Sequence, residues 1–371
     1  MKARALVAWG IVFLAPALWA GESVLYSVTE QSVAYPATNR PVAVSVAEDK
    51  TDVFAIDPET GKKRLVFSDA NAEFMIMPGG RTPPGIVAAG RRIFSVAVDR
   101  QAWANGRQSM MAVYELSTDG SGKARKVFEV DNFSNLFVSP SGSKIGYFID
   151  GTVEAYMIRG TATGKLLRTV RIQSGTIYGE VSAVAWAPDG ERILFSLGLS
   201  GDGDDTFWNN PDSPVGTYVM REDDAAAPTR LAPEAELHYR APGKELDISE
   251  GATLIGVLPD GQYLLSDSTT PLYTLDLVKK TQRSIPANEF LGTMTSLGSS
   301  SRLSPSGRQL ALTTTQNKYE KQSKPTVTST VSLWALELES GKPSKLLSFA
   351  IPDTTRDFKG PWINLIGWLQ D

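Results

Sequence analysis

The chain carries few of the side chains that enzymes use for covalent or metal chemistry. It has no cysteine and one histidine, His238, in the stretch EAELHYRAPG. Thiolate catalysis, zinc–sulfur sites and a two-histidine metal site within one chain are therefore excluded. A serine-hydrolase triad also needs an exposed nucleophile, and the Gly-x-Ser-x-Gly elbow is absent. His238 is interpreted as a bystander, with two alternatives: a ligand contact, or the general base of a lyase-type reaction.

An acidic stretch is the second cluster with chemical potential. The sequence SGDGDDTFWNN at residues 200–210 places Asp202, Asp204 and Asp205 in a segment with two glycines. Oxygen-rich, flexible loops suit Ca²⁺, although the full Asp-x-Asp-x-Asp-Gly loop pattern is absent. A solvated acidic loop is the preferred interpretation, and a calcium site formed by the three aspartates is the alternative. No motif selects a carboxylate pair for glycoside hydrolysis.

Aromatic and cationic side chains gather in four long segments, residues 98–109, 198–216, 233–247 and 314–330. Aromatic rings and arginines in exposed loops fit the role of recognition anchors. The alternative is that each ring folds over the structural unit beside it. The candidate binding residues are Trp103, Arg107, Phe207, Trp208, His238, Tyr239, Arg240 and Tyr319, and further cations of these segments are Arg100, Lys318 and Lys321.

A repeated phrase indicates the elements that would position these segments. The phrase begins with a small residue, continues with Pro, then Asp or Ser, then Gly, and is followed by alternating apolar residues. A degenerate copy is expected to precede a strand that begins at residue 92. Asp-Gly or Ser-Gly between alternating segments predicts a hairpin turn, because Gly accepts positive φ. Two turns carry Ser where two carry Asp, so each Asp is expected to cap its own turn and not to act as a catalytic acid. The copies lie at residues 139–142, 187–190, 258–261 and 304–307, and the degenerate one at 77–80.

Each hairpin is followed by a third strand rich in aromatic and aliphatic residues, a Gly- or Lys-rich turn, and a fourth strand. Four antiparallel strands per unit, arranged around an axis, predict an all-β fold, a six-bladed β-propeller. Five complete units span about residues 71–130, 131–176, 177–233, 247–286 and 293–352.

The two ends of the chain are expected to complete the sixth blade. Residues 362–369 would pair with residues 41–46, and such closure removes sheet edges that invite aggregation. Seven blades are the alternative, with another blade drawn from residues 234–250. The residues of the closing strand expected in the core are Trp362, Ile363, Leu365, Ile366 and Trp368.

The four long segments are expected to share one face of this propeller. In a four-stranded blade, second-to-third and blade-to-blade connections emerge on one face, and the other turns emerge on the opposite face. All four long segments belong to the first set. Loops longer than about a dozen residues usually have a function, and binding residues are often on loops held by a rigid scaffold.

The phrases WAPDGERILFS and LSPSGRQLALT resemble the WD40-like (PD40) repeats of TolB-type six-bladed propellers, over about residues 41–369. The resemblance implies the fold and leaves the function open, because this repeat occurs in propellers of several activities. TolB carries an additional N-terminal domain that we do not expect here, so the partners of the Tol system are not carried over.

The first residues, MKARALVAWGIVFLAPALWAGES, predict a secretory signal peptide over residues 1–20. A positive start, an apolar run over residues 5–18 and a small-residue exit form that pattern, and an uncleaved membrane anchor is the alternative. Residues 21–371 are expected to form a single propeller domain in the periplasm or outside the cell. The net charge of −4 disfavours nucleic acid as a partner.

These patterns predict an exported, non-catalytic propeller that binds a protein or a glycan of the cell envelope through the face with the long loops. No membrane span is expected after removal of the leader. Calcium is the one cofactor considered. The alternative function is that of a polysaccharide lyase or glycan hydrolase acting at the central pocket of the same face.

Overall fold

The structure, a computed structural model, describes most of the chain as β-strand. Within the described ranges the chain forms 26 strands and two short helices, and the strands form six antiparallel sheets. The fold is an all-β propeller built from four-stranded antiparallel blades. The described residues are 21–34, 42–43, 50–76, 85–104, 110–130, 134–149, 155–171, 179–199, 216–221, 229–230, 253–266, 272–276, 279, 281–291, 301–320, 326–352 and 357–370.

The first two sheets each contain five strands. Sheet 1 consists of β1 (Glu22–Ala34), β2 (Val42–Ala43), β3 (Lys50–Ile56), β4 (Lys63–Ser68) and the last strand of the chain, β26 (Asp357–Gln370). Sheet 2 consists of β5 (Phe74–Ile76), β6 (Ile86–Ala89), β7 (Arg92–Asp99), β8 (Met111–Leu116) and β9 (Ala124–Val130). Helix α1 (Arg100–Ala104) follows β7.

The other four sheets have four strands each. Sheet 3 is β10 (Ser134–Val138), β11 (Lys144–Ile149), β12 (Ala155–Gly160) and β13 (Leu166–Arg171). Sheet 4 is β14 (Gly179–Trp186), β15 (Arg192–Leu199), β16 (Gly216–Arg221) and β17 (Thr229–Arg230). Sheet 5 is β18 (Thr253–Val257), β19 (Tyr263–Ser266), β20 (Tyr273–Asp276) and β21 (Thr281–Ser284). After helix α2 (Asn288–Leu291), sheet 6 is β22 (Ser301–Leu303), β23 (Gln309–Glu320), β24 (Thr326–Glu337) and β25 (Pro343–Pro352).

In each five-stranded sheet, two short strands lie end to end and together take the place of one strand, so both sheets are four strands wide. Strand β1 pairs with β26 along its whole length, so β2 and β3, which pair with different parts of β1, lie end to end on its other side. In the same way, β5 and β6 pair with opposite ends of β7 and together form one strand position. Sheets 1 and 2 therefore follow the same four-strand plan as the rest.

The hairpin turns predicted from the repeated phrase are confirmed. Gly190 has a φ of +71° in the turn between β14 and β15. The Asp189 carboxylate accepts hydrogen bonds from the amides of Glu191, at 2.8 Å, and Arg192, at 3.1 Å. Asp260 accepts the Gln262 amide at 3.1 Å in the same way. These aspartates cap their own turns, as expected.

The core lies between the faces of neighbouring sheets. Strand β7 is buried from Ile93 to Val98 without alternation, because sheets cover both of its faces. One apolar cluster joins sheets 1 and 2, and others join sheets 2 and 3, 4 and 5, 5 and 6, and 6 and 1. The innermost strands contact one another in the order β26, β6, β10, β14, β18, β22 and again β26.

The predicted partner of the C-terminal strand is wrong, although the strand does join the first sheet. Strand β26 pairs with β1 from Glu22↔Gln370 to Ala34↔Asp357, while of residues 41–46 only β2 is a described strand and it pairs with the far end of β1. The closing strand does supply core: Leu365, Ile366 and Trp368 are buried. Ile363 packs against the cluster between sheets 6 and 1, and nothing is described for the side chain of Trp362.

The turn predicted from the degenerate phrase stays a prediction. Residues 77–80 lie outside the described residues, and the hairpin that enters β7 closes at the pair Ala89↔Arg92. Gly90 occupies this turn with a φ of +57°. Strand β7 begins at Arg92, which agrees with the predicted start of the second strand.

Candidate functional site

The short turns of neighbouring sheets touch one another and define one face of the molecule. The amide of Gln370 in sheet 1 donates to the carbonyl of Gly90 in sheet 2 at 2.9 Å. Arg92 of sheet 2 donates to the carbonyl of Gly142 in sheet 3 at 2.6 Å. Glu22 of sheet 1 accepts the amide of Ser306 in sheet 6 at 2.8 Å. We call this side the short-turn face.

The opposite side receives the second-to-third strand connections and the links from sheet to sheet, because the strands of each sheet run antiparallel in chain order. We call it the long-loop face. Among the described elements, α1 and α2 begin there, after β7 and β21 respectively. The connection between β1 and β3 also opens on this face and contains β2. The sequence did not indicate this connection as a long one.

Two strand pairs of unusual length rise toward the long-loop face. Strands β23 and β24 have 12 residues each and pair from Gln309↔Glu337 to Glu320↔Thr326. Strands β1 and β26 have 13 and 14 residues. At a rise of about 3.3 Å per residue, these strands are about 40 Å long, against about 20 Å for a six-residue strand such as β8. We call these pairs the two ribbons.

The two ribbons are neighbours. Tyr26 of β1, Leu333 of β24 and Leu365 of β26 belong to one buried cluster between sheets 6 and 1. The ring of Tyr26 stacks on Phe54 with centroids 5.5 Å apart and meets Phe349 of β25 at 6.3 Å. The bases of the ribbons are therefore fixed in one packed interface, which holds the strands that continue beyond it.

The expectation of a long loop at residues 314–330 is wrong. Strands β23 and β24 continue through most of this segment, and only residues 321–325 between them lie outside the described residues. Tyr319 is therefore on a strand, where its backbone pairs with Val327. A ribbon presents side chains in a fixed alternation, so Tyr319 has a defined strand position and not a loop position.

Helix α1 places Trp103 at the long-loop face. Asp99 caps the helix, since its carboxylate accepts the Ala102 amide at 2.6 Å. Arg100 then ties the helix to sheet 1: its guanidinium donates to the Asp69 carbonyl at 2.8 Å and lies 3.5 Å from the Asp69 carboxylate. Trp103 follows within the same short helix, and nothing is described for its side chain.

Asp69 is the buried half of this tie. Its side chain is 0% exposed, and its carboxylate accepts the amides of Thr51 at 2.7 Å and Ile76 at 2.9 Å. Burial raises the pKa of Asp69, while these amides and the Arg100 charge oppose the shift. Arg100 was grouped with exposed recognition cations from the sequence, but it is a structural link between sheets 1 and 2.

The other predicted site residues lie outside the described residues, so their predictions stay predictions. This holds for the binding candidates and equally for the calcium alternative. Within the described part of the chain, no group of three His, Asp or Glu side chains could hold a metal ion. The residues concerned are Arg107, Phe207, Trp208, His238, Tyr239, Arg240, Asp202, Asp204 and Asp205.

Met110 is a contact candidate that the sequence reasoning missed. It directly precedes β8 on the long-loop face, and it is 54% exposed. Its flexible, polarisable side chain suits an adaptable contact surface. Its position next to the third strand of an already recognised blade is the signal that could have indicated it.

No protein-family model matches the chain, and no curated protein matches it. Among solved structures, TolB from Acinetobacter baumannii has 13% identity over 93% of this chain and 66% of its own, with a TM-score of 0.46. A TolB-like protein from Agrobacterium tumefaciens has 13% identity over 93% and 99% of the two chains, with a TM-score of 0.44. Oligogalacturonate lyase from Vibrio parahaemolyticus has 10% identity over 73% of each chain, with a TM-score of 0.41.

Similarities at this level carry no functional argument, and the fold assignment therefore rests on the strand pairing itself. One further observation concerns the membrane: among the residues that the structure describes, no helix is long and apolar enough to cross a bilayer.

Proposed function

We propose that this protein is an exported, non-catalytic binding module that captures a protein or glycan of the cell envelope on its long-loop face. The observation that carries the proposal is the pair of neighbouring ribbons. Each is about twice the length of an ordinary strand pair in this fold, and both extend toward the same side. The paired backbone of both ribbons continues past the residues that form the buried cluster between sheets 6 and 1, and strands of this length offer a surface to a partner.

The proposal includes a closed ring of six blades. Three facts support it: six sheets, a C-terminal strand paired with the N-terminal one, and innermost strands that contact each other in an order returning to β26. A closed ring is a rigid scaffold without free inner edges, and rigid scaffolds position binding loops well. Export is proposed from the leader pattern of residues 1–20.

A photo-crosslinking amino acid at single positions tests the proposed face. Met110, beside β8, and Thr315, on β23, are exposed positions on the long-loop side. Lys342, an exposed residue in the turn before β25, is the matched control on the short-turn face. Each variant is irradiated in envelope extract, and the adducts are identified by mass spectrometry as peptide or sugar.

The expected result is the same adduct at Met110 and Thr315 and none at Lys342. Replacing residues 316–330 by Asn-Gly shortens the first ribbon at the Thr315↔Val331 pair with a turn suited to a two-residue hairpin. This change should abolish the adduct and leave the melting temperature nearly unchanged. Equal adducts on both faces, or capture that survives both this change and a Trp103→Ala/Trp208→Ala variant, would overturn the proposal.

A further inference from the structure

The third-to-fourth strand turns of sheets 1, 2 and 3 form one continuous strip at the rim of the short-turn face. The strip consists of residues 57–65, 117–127 and 161–168. Arg64 donates to the Thr118 carbonyl at 3.4 Å, which joins the first two turns. Arg125 donates to the carbonyls of Thr161 at 3.0 Å and Ala162 at 3.5 Å, which joins the second and third. We call this surface the basic strip.

The basic strip is cationic in an acidic protein. It contains eight Lys or Arg residues and three carboxylates, a net charge of +5, whereas the whole chain carries −4. The equivalent turn of sheet 6, residues 337–346, has two cations and two carboxylates and is neutral. Residues 276–283, which include the connection from β20 to β21 in sheet 5, carry three cations and one carboxylate, so positive charge is not confined to the strip. The strip differs in joining three cationic turns of neighbouring sheets into one surface.

Four carboxylates in and beside the strip, those of Asp57, Glu115, Asp119 and Glu129, are engaged in local contacts. Asp57 and Asp119 cap their own turns, and the hydroxyl of Ser117 lowers the pKa of Asp119 to about 2. Glu115 is held between Arg92 and Arg125, with 2.6 Å to each guanidinium. Lys126 contacts Glu129.

Three lysines of the strip remain available to an external anion. Lys62, Lys123 and Lys165 are exposed, and no carboxylate of the described residues contacts them. Each directly follows the glycine of its turn, and each backbone carbonyl accepts the hydrogen bond that closes the turn. Their ammonium groups are thus spaced by the blade repeat along one rim.

Exposed leucines accompany these cations. Of the four large hydrophobic residues that are clearly exposed in the described chain, three lie in the strip: Leu65 at 47%, Leu166 at 38% and Leu167 at 52%. A β-bulge in β13 leaves Leu167 opposite no residue of β12, since Arg159 pairs with Leu166 and Ile158 with Arg168. Apolar side chains are therefore presented outward among lysines on an edge strand.

We propose that the basic strip docks this protein on an anionic lipid bilayer surface. Lysines attract acidic headgroups, and leucines between them enter the headgroup boundary, which is the combination that peripheral membrane attachment uses. A nucleic acid or an acidic protein would engage the lysines but would gain less from the leucines. Because the strip lies on the short-turn side, docking leaves the long-loop face directed away from the bilayer. The proposal does not depend on the proposed function.

Vesicle co-sedimentation of the full chain tests this proposal. The probes are phosphatidylcholine vesicles with and without about one third phosphatidylglycerol. The test variant is Lys123→Glu, and the matched control is Lys342→Glu, which makes the same charge change at the equivalent position of the sheet 6 turn. In both turns the lysine amide donates to a serine hydroxyl at 3.3 Å. Adhesion through the apolar residues 5–18 would be the same in both variants.

The expected result is binding to the anionic vesicles alone, lost at ~0.5 M salt because screening shortens the range of the attraction. A lysine near an anionic surface contributes about fivefold in affinity, so Lys123→Glu should weaken binding at least that much and Lys342→Glu should not. Leu166→Ser with Leu167→Ser should weaken binding with the charge unchanged. Equal binding by Lys123→Glu and Lys342→Glu, or preference for heparin over vesicles, would overturn the proposal.

Discussion

Gly341 and Gly61 occupy the same position in the turns of two sheets, but only one of them touches a neighbouring sheet. Both have a φ of +68°, and both amides donate back across the turn, to Glu337 at 2.8 Å and to Asp57 at 2.9 Å. A Cβ on Gly341 would lie 2.3 Å from the carbonyl oxygen of Pro286, whereas a Cβ on Gly61 would meet nothing within 4 Å. Replacing each by Ala therefore separates backbone strain from packing between sheets.

The magnitudes follow from this difference. An L-residue in the left-handed region costs about 1–2 kcal/mol, so Gly61→Ala should lower the free energy of unfolding by about that amount. Gly341→Ala carries the same backbone cost. In addition, the backbone at Pro286, which follows sheet 5, must move until its carbonyl oxygen reaches ordinary contact distance from the new Cβ. Overpacking of this kind costs about 1–3 kcal/mol more. The expected total is about 2–5 kcal/mol.

Urea denaturation followed by tryptophan fluorescence measures both variants, with the denaturation slope as the check that the same surface unfolds. Gly164→Ala provides an independent repeat, because its Cβ would lie 2.3 Å from the Val127 carbonyl oxygen of sheet 2. Equal losses for Gly61→Ala, Gly341→Ala and Gly164→Ala would refute the close packing of third-to-fourth turns on the preceding sheet.

Three further predictions concern side chains. Glu115→Gln should lower the free energy of unfolding by about 1–2 kcal/mol at neutral pH, because hydrogen bonds from Arg92 and Arg125 stabilise the ionised carboxylate and lower the pKa of Glu115. Denaturation at a series of pH values should show this difference vanishing as acid protonates Glu115. Asp189→Ala should lose about 1 kcal/mol in urea denaturation, while Asp189→Ser, the residue of two other turns, should lose less. Burial raises the pKa of Tyr26 to about 12, and its hydroxyl has no hydrogen-bond partner among the described residues. Tyr26→Phe should therefore be at least as stable as wild type, and alkaline denaturation should show it losing less stability between pH 10 and 12.

The hairpin turns could be predicted from the sequence because their cause is local. A Gly with positive φ and a capping Asp or Ser act within a few residues, so the repeated phrase marks them wherever it occurs. The same logic explains why no copy of the phrase marks the last turn before β7 in sheet 2. The hairpin into β7 uses Ala89-Gly90-Arg91-Arg92, which lacks the proline and capping residue of the phrase.

Strand β1 could not be recognised in this way because its partner is more than 300 residues away. Its sequence ESVLYSVTEQSVA follows no copy of the turn phrase. Leu25 and Tyr26 occupy successive positions and are both buried, because Leu25 faces the cluster between sheets 1 and 2 and Tyr26 faces the cluster between sheets 6 and 1. Such burial breaks the alternation by which strands are recognised. The second strand of the first blade was therefore assigned to residues 41–46.

The ribbon formed by β23 and β24 was interpreted as a loop because its residues are polar. TTTQNKYE and TVTSTV contain few large apolar side chains, yet threonine and valine favour extended backbone. The Asp69–Arg100 tie was missed for another reason. Charged residues of a polar segment give no local sign that one will be buried against another 31 positions away.

The ends of the chain offer the most direct test of the account, because everything on the long-loop face depends on β1 and β26 sharing one sheet. Ser27 and Asn364 are paired across these strands, and the chain has no cysteine of its own. Directly paired positions in antiparallel strands have Cα separations within disulfide range. Mild oxidation of a Ser27→Cys/Asn364→Cys variant should consume both thiols, while a Ser27→Cys/Lys342→Cys control should keep them. Free thiols in the first variant, or equal oxidation in both, would contradict the pairing of the two ends.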